Sequence, residues 1–144
     1  MKTLGECIAN LQALKGNLKK IAANEMVNYA LDNLKKGTDI RGQRFKERKP
    51  GTKRNTGRAI LFDTGDGRRS IKGRETSNGA ELTGLVYMLA HNEGVNKTVS
   101  GRSRLGNSFT RKMDLPQREF AGDSPAQRAR IESEISKAII RACR

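Results

Sequence analysis

The feature that most constrains this chain is a long run of apolar residues at helical spacing near its N-terminus. The run lies between Glu6 and Lys36 and consists of Ile8, Leu11, Leu14, Leu18, Ile21, Met26, Tyr29 and Leu34. Intervals of mostly three and four predict an amphipathic helix with one buried stripe, closed by Gly37. Gly16 either loosens this helix or marks its start. The mixed charge of its polar face favours a scaffold helix over one that lies on a membrane.

Composition limits the core that this helix can join. Only 35% of the 144 residues are apolar and 4% are aromatic, so we expect one modestly packed domain, residues 1–144, whose burial is completed by partners. The chain lacks a bilayer-spanning apolar run and a secretory signal, which predicts a cytoplasmic protein. Cys7 and Cys143 could form a disulfide, but a reducing compartment favours two free thiols.

The net charge of +14 is concentrated in two segments that have no regular apolar pattern. We predict flexible basic loops at 37–58 and 95–114, the second being alternatively a long hairpin arm. Their basic residues are candidate contacts to an acidic partner or to DNA: Arg41, Arg44, Lys46, Arg48, Lys49, Lys53, Arg54, Arg58, Arg102, Arg104, Arg111 and Lys112.

Strand patterns lie between the two basic segments. We predict strands over 69–76 and 81–88, joined by an Asn78-Gly79 turn, in an antiparallel sheet of three or four strands. Residues 89–94 should leave this sheet as a short helical turn.

Ser124 and Pro125 mark the start of a terminal helix that should run to about Ala142. The predicted fold class is therefore α+β, with N- and C-terminal helices packed on a small antiparallel β-sheet and two long basic loops.

Candidate catalytic residues are few. Asp63 and Asp66 lie in a glycine-rich turn, where an aspartate ordinarily bonds its own backbone. His91 and Glu93 are two apart, a spacing that points them to different sides of a helical turn. A magnesium-dependent nuclease built on Asp63, Asp66 and His91 is chemically allowed but disfavoured. We predict no enzymatic activity, no cofactor and no metal.

The basic segments make nucleic acid an obvious alternative partner. Only Phe45 and Phe109 lie among the basic residues, which is a poor basis for a stacking platform. No helix carries the clustered Arg or Asn that reads a major groove. Any contact with DNA should therefore be electrostatic and independent of sequence.

Three motifs follow one another along the chain. They are Leu61-Phe62-Asp63-Thr64-Gly65 with Ser70-Ile71, then Val86-Tyr87 with Ala90-His91 and Gly94, then Pro116-Gln117-Arg118-Glu119-Phe120-Ala121-Gly122. In this order they resemble the phage virion morphogenesis, or tail-completion, family of Mu-like and related tailed phages and prophages. Gly67 and Glu119 depart from that family's pattern, in which an apolar residue and a second proline are usual.

We interpret the motif residues as architectural: Leu61, Asp63, Thr64, Gly65, Ser70, Ile71, Tyr87, His91, Gly94, Pro116, Arg118, Phe120 and Gly122. His91 is expected to hydrogen-bond a neighbouring loop instead of acting as a base. Arg118 and Phe120 are expected to fasten the terminal helix to the sheet.

The resemblance implies a structural protein at the head–tail junction or the tail end. It further implies a homo-oligomeric ring of six subunits, with phage tail-tube, terminator or connector proteins as partners and non-specific DNA contact in a channel. No membrane partner is implied. The protein would be found in the bacterial host cytoplasm during assembly and then in the virion. The alternative is a sequence-independent nucleic-acid-binding protein.

Overall fold

The computed structural model describes residues 2–47, 61 and 64–144. These contain helices α1 (Leu4–Lys36), α2 (Asp66–Ser70), α3 (Val86–Glu93) and α4 (Pro125–Cys143), and strands β1 (Lys72–Glu75), β2 (Ala80–Thr83), β3 (Val95–Arg102) and β4 (Ser108–Leu115). The predicted α+β class with N- and C-terminal helices is confirmed. The prediction of one sheet of three or four strands was wrong, because the described strands form two separate antiparallel pairs, β1 with β2 and β3 with β4.

Helix α1 follows the apolar period of the sequence from end to end. Thr3 and Glu6 form a reciprocal capping box at its start, and Gly37 ends it in the left-handed conformation with φ 69°. The helix continues through Gly16, which neither starts nor interrupts it. Its last turns are the most buried, with Leu34 fully enclosed, whereas Ile8 near its start stays half exposed.

Helix α4 packs antiparallel along α1. Its N-cap Ser124 accepts a hydrogen bond from the backbone N–H of Gln127 at 3.2 Å, as the sequence predicts. At the other end Cys143 is disulfide-bonded to Cys7, with the two Cα atoms 4.8 Å apart. The expectation of two free thiols is therefore contradicted, because packing places the two chain ends side by side.

The β1–β2 hairpin lies against α1. Its turn at Asn78-Gly79 is where the sequence predicts it, with the Thr76 N–H donating to the Gly79 carbonyl at 2.9 Å. The hairpin approaches α1 so closely that a Cβ on Gly73 would lie 2.5 Å from the Ala23 carbonyl oxygen. Lys19 on α1 donates to the turn carbonyls of Thr76 and Ser77.

Both strands flanking this turn are shorter than predicted. Residues 69–70 belong to α2, and residues 86–88 belong to α3, so those parts of the predicted strands were wrong. The strand prediction rested on the alternation of Leu82, Gly84, Val86 and Met88. From residue 86 the chain is helical, and Met88 and Asn92, four residues apart, both face inward. Burial of Met88, 1% exposed, stabilises the helical alternative.

Neither basic segment is wholly irregular. In the first, Thr38 and Arg44 form a β-bridge around a turn held by Asp39, and Phe45 enters the core. Residues 48–60 lie outside the described residues. The second segment is the hairpin arm that the sequence left as an alternative: β3 and β4 pair from Val95–Leu115 to Arg102–Ser108.

One buried cluster unites these elements. It contains Ala30, Leu34, Phe45, Ile71, Met88 and Phe120, and partly buried Val27, Leu31, Leu61, Leu82 and Ala121 pack around it. Every member is aliphatic, methionine or phenylalanine, as a chain without tryptophan requires. The cluster lies at the C-terminal end of α1. At the other end of the α1–α4 pair, the disulfide and hydrogen bonds from Lys2 and Asn10 to the carbonyl oxygens of residues 141–142 join the helices.

Reduction of the disulfide should lower the free energy of unfolding. The two cysteines are 136 positions apart, and closing a loop of that size stabilises a fold by about 5 kcal/mol in the chain-entropy account. Thermal unfolding with and without reductant measures the effect. The Cys7→Ser/Cys143→Ser double variant should unfold at the same temperature as the reduced protein, and reductant should not change that temperature. Identical unfolding of the oxidised and reduced wild type would contradict this prediction.

Candidate functional site

The three sequence motifs converge on the buried cluster. Ile71 of the first, Met88 beside Tyr87 of the second and Phe120 of the third all belong to it. The segment 116–122, which carries the third motif, lies between α3 on one side and the residues that follow α1 on the other. The site is therefore a junction of backbone segments.

Arg118 is the central side chain of this junction. It is 5% exposed, and its guanidinium donates to the carbonyl oxygens of Lys46, at 3.1 and 3.2 Å, and Glu47, at 3.4 Å. The planar fork of arginine suits several carbonyl acceptors at once. Arg118 therefore fastens segment 116–122 to residues 46–47 of the first basic segment.

His91 meets Arg118 from the α3 side. Its carbonyl oxygen accepts the Arg118 backbone N–H at 2.8 Å, and its ring Nδ1 lies 3.4 Å from Nη1 of the guanidinium. Because arginine only donates, Nδ1 must be the acceptor and the proton of the neutral ring resides on Nε2. Burial, and secondly the charge of Arg118, hold the pKa of His91 below its ordinary value.

Two glycines let segment 116–122 come close to its neighbours. Gly94, which ends α3 with φ 76°, lies so near residue 117 that a Cβ would be 3.0 Å from the Gln117 backbone nitrogen. A Cβ on Gly122 would be 3.1 Å from a Glu119 carboxylate oxygen and 3.3 Å from Ile40. A larger residue at Gly94 would be strained by the positive φ and would press on the backbone of residue 117, whereas at Gly122 the side-chain ends of Glu119 and Ile40 would have to shift slightly.

Side chains that the sequence analysis did not assign to the site complete the junction. Asn33, buried on α1, donates to the Phe120 carbonyl at 3.0 Å, and Asn92 on α3 accepts the Ala121 N–H at 2.9 Å. The Tyr29 hydroxyl accepts a hydrogen bond from the Ser124 hydroxyl and donates one to the Ile40 carbonyl oxygen, both with a donor–acceptor distance of 3.0 Å. The sequence does hold one sign that Asn33 is buried: it is a polar residue next to Leu34, on the side of the helix that carries the apolar stripe.

The first motif turns into the core through a short helix. Gly65, with φ 88°, precedes α2, and Leu61 also has a positive φ of 59°. Ser70 donates to the Gly67 carbonyl at 2.7 Å and accepts the Leu85 N–H at 3.1 Å, which joins this motif to the start of α3. Thr64 is exposed, and Asp63 lies outside the described residues.

Gly67 stands where the resemblance predicts an apolar residue, and its neighbours show why glycine fits there. A Cβ at this position would lie 2.6 Å from both Met88 Sδ and the Tyr87 hydroxyl. The space that an apolar residue would fill is therefore occupied by two side chains of α3. Tyr87 lies on α3, not on a strand, and is about half exposed.

The candidate contact residues are separated into two regions. Arg41, Arg44 and Lys46 are exposed near the end of α1. Four more lie exposed on the arm: Arg102, Arg104, Arg111 and Lys112. Arg48, Lys49, Lys53, Arg54 and Arg58 lie outside the described residues. Phe45 is buried in the core, so only Phe109 of the two phenylalanines is accessible to a partner.

Two of the residues considered for catalysis, Asp66 and His91, each have other partners. Asp66 bonds Thr64 and Arg69, which lower its pKa, and His91 bonds Arg118. Within residues 2–47, 61 and 64–144, no group of three or more His, Cys, Asp or Glu side chains could hold a metal ion. None of the described helices is long and apolar enough to cross a membrane.

Loss of the Arg118 guanidinium should destabilise the fold. Arg118→Met removes a buried guanidinium that donates to the Lys46 and Glu47 carbonyl oxygens, and it should lower the free energy of unfolding by about 2–4 kcal/mol. The free energy of unfolding of Arg118→Lys should lie between those of wild type and Arg118→Met, because an ammonium group keeps the charge but lacks the planar fork. Denaturant unfolding measures both. Arg104→Met, at the exposed turn of the arm, is the matched control and should stay within about 0.5 kcal/mol of wild type. Equal stability of the two methionine variants would contradict the assignment.

His91 should make stability depend on pH in a defined direction. Its folded pKa lies below the unfolded value of about 6.5, so the unfolded chain binds the proton more readily. The free energy of unfolding should therefore fall as pH decreases from 7.5 through 6.5 and level off below the folded pKa. Urea unfolding at a series of pH values measures this slope.

His91→Asn is the control for that slope. Asparagine can present an acceptor near the position of Nδ1 but does not titrate, and His91 is the only histidine in the chain. The variant should lose the pH dependence between 7.5 and 5.5. An unchanged slope in the variant would show that another group causes it.

Comparison with known proteins identifies a family that this chain matches. The model of a family described as phage virion morphogenesis matches residues 1–139, nearly the whole chain. The matched range contains all three motifs and the junction that they build. Neither the search of curated proteins nor the search of solved structures found a match.

Proposed function

We propose, from the premise that this chain belongs to the phage virion morphogenesis family, that it acts at the head–tail junction or the tail end as a ring of identical subunits. Membership of the family supports a structural role in building the phage particle, in place of a catalytic one. The observation that carries the proposal is the family match over residues 1–139, which includes every segment of the Arg118 junction.

The surface of the chain supports an assembling role. Its buried cluster is small, and large apolar side chains remain exposed on α3, on the arm and at the disulfide end of the helix pair. Exposed apolar surface of this kind is typical of proteins that bury it against partners. A ring of six subunits in contact with tail-tube, terminator or connector proteins would cover it. The subunits would assemble in the host cytoplasm and remain in the virion.

The basic residues fit the same proposal. They are exposed near the end of α1 and along the arm, where they could face acidic surfaces of partner proteins or DNA in a central channel. A sequence-independent DNA-binding protein is the second candidate, favoured by the exposed arginines and lysine at 102–112. In that case DNA affinity would be the function instead of a by-product of assembly.

The assembly proposal predicts a defect in a phage that lacks this protein and a defined size for the purified protein. Particles made without it should accumulate as unjoined heads and tails in electron micrographs, and the purified protein should form rings of six times 15.9 kDa by light scattering. Monomers at high concentration, together with normally joined particles, would contradict the proposed function.

Charge neutralisation separates assembly from DNA binding. Replacing Arg102, Arg104, Arg111 and Lys112 by Gln should impair particle joining or partner association if the arm serves assembly. The same number of charges is removed from α1 in the control, which replaces exposed Lys15, Lys20, Lys35 and Lys36 by Gln. A DNA-binding function instead predicts a Kd for DNA whose logarithm changes linearly with the logarithm of salt concentration. In that case the arm variant should lose DNA binding while heads and tails still join.

A further inference from the structure

Among the described helices and strands, β3 and β4 pack mainly on each other and little on the rest of the protein. Residues 96–112 are all exposed apart from the half-buried Val99. An isolated two-stranded hairpin is only marginally stable in water. The arm therefore needs a surface to pack against when it is ordered.

The two faces of the arm differ in chemistry. Because paired residues point to the same side, one face carries Val95, Lys97, Val99, Gly101, Phe109, Arg111, Met113 and Leu115, and the other carries Asn96, Thr98, Ser100, Arg102, Ser108, Thr110, Lys112 and Asp114. The first, which we call the apolar arm face, contains five apolar side chains and two cations and no acid. The second contains no apolar side chain.

The outer half of the apolar arm face is preformed. The Phe109 ring covers Gly101, where a Cβ would lie 3.2 Å from the ring, and Arg111 lies over the same ring at 5.8 Å from its centroid. Phe109 is nonetheless 40% exposed, and Leu105 at the turn is 87% exposed. An accessible aromatic ring flanked by an arginine is typical of the residues that dominate protein interfaces.

A complementary surface lies on α3. Val86, Leu89 and Glu93 are spaced i, i+3 and i+7 and so share one face of this helix, opposite buried Met88. Val86 is 81% and Leu89 47% exposed. Glu93 is exposed and has no ion-pair partner among the described residues. We call these three residues the α3 face; it carries an acid and no base.

The two surfaces are both apolar and carry opposite charge, and Phe109 and Val86 at their centres are both exposed. We propose that the apolar arm face of one subunit docks on the α3 face of a second copy, with Phe109 against Val86 and Leu89 and with Lys97 or Arg111 near Glu93. This proposal rests on the ring assembly put forward under Proposed function, and it names the contact that builds it.

Such a contact is heterologous, because it joins two different patches of the same chain. Each subunit then offers one arm and one α3 face, so subunits add head to tail until the arrangement closes. A contact between two arms would instead be isologous and would stop at a dimer. The distinction makes the proposal testable by mixing variants.

Phe109→Asp disables the arm and Val86→Asp disables the α3 face. Each variant alone should weaken self-association by at least about 30-fold, as expected for a central interface residue, and should run as a monomer in light scattering. Mixed in equal amounts, the two variants should form a 1:1 dimer and nothing larger, because one intact arm and one intact α3 face remain. Ser108→Asp is the control: it lies next to Phe109 on the opposite face, and it should assemble like wild type.

Each other outcome overturns the proposal in an identifiable way. If wild type assembles and both aspartate variants assemble equally well, the arm contact is wrong and the ring remains. If the variants stay monomeric when mixed, although their circular dichroism matches wild type, the contact is not heterologous. If Phe109→Asp assembles normally but loses DNA affinity, the arm contacts DNA instead of a second copy. A wild type that is monomeric at high concentration removes the ring and the contact together.

Discussion

The buried guanidinium of Arg118 is the interaction on which the rest of this structure depends. Its bonds to the carbonyl oxygens of Lys46 and Glu47 and its contact with His91 hold together three segments that are far apart in sequence. A charge in a small core is tolerated only when its donors are satisfied. Segment 116–122 is therefore fixed in position, and with it the base of the arm on one side and the start of α4 on the other.

This junction explains how so small a core supports a long helix pair and a protruding arm. The buried cluster lies at one end of α1, and the Cys7–Cys143 disulfide closes the opposite end. Between them α1 and α4 pack with half-buried side chains. Apolar residues that would enlarge the core of an isolated domain are instead exposed on α3 and on the arm, the two sides of the proposed contact between copies.

Much of the fold was predictable from local patterns. The apolar period and caps placed α1 and α4 within a few residues, and Asn78-Gly79 placed the first hairpin. The prediction failed at residues 86–88, which continue the apolar–polar alternation of the preceding strand but belong to α3, where the helix buries Met88. The motif residues were identified, but the partners of Arg118 were not, because carbonyl oxygens contributed by residues 46 and 47 leave no side-chain signal.

The sequence by itself determined the class of elements, the family and the location of the positive charge, because these depend on composition, local spacing and motif order. Only the tertiary structure decided that the second basic segment is a hairpin with one apolar face, that Phe45 belongs to the core and that the two cysteines are joined. Each of these depends on which distant segments pack together. That choice follows from the burial of Leu34, Met88 and Phe120 in one cluster, a long-range effect that no local pattern encodes.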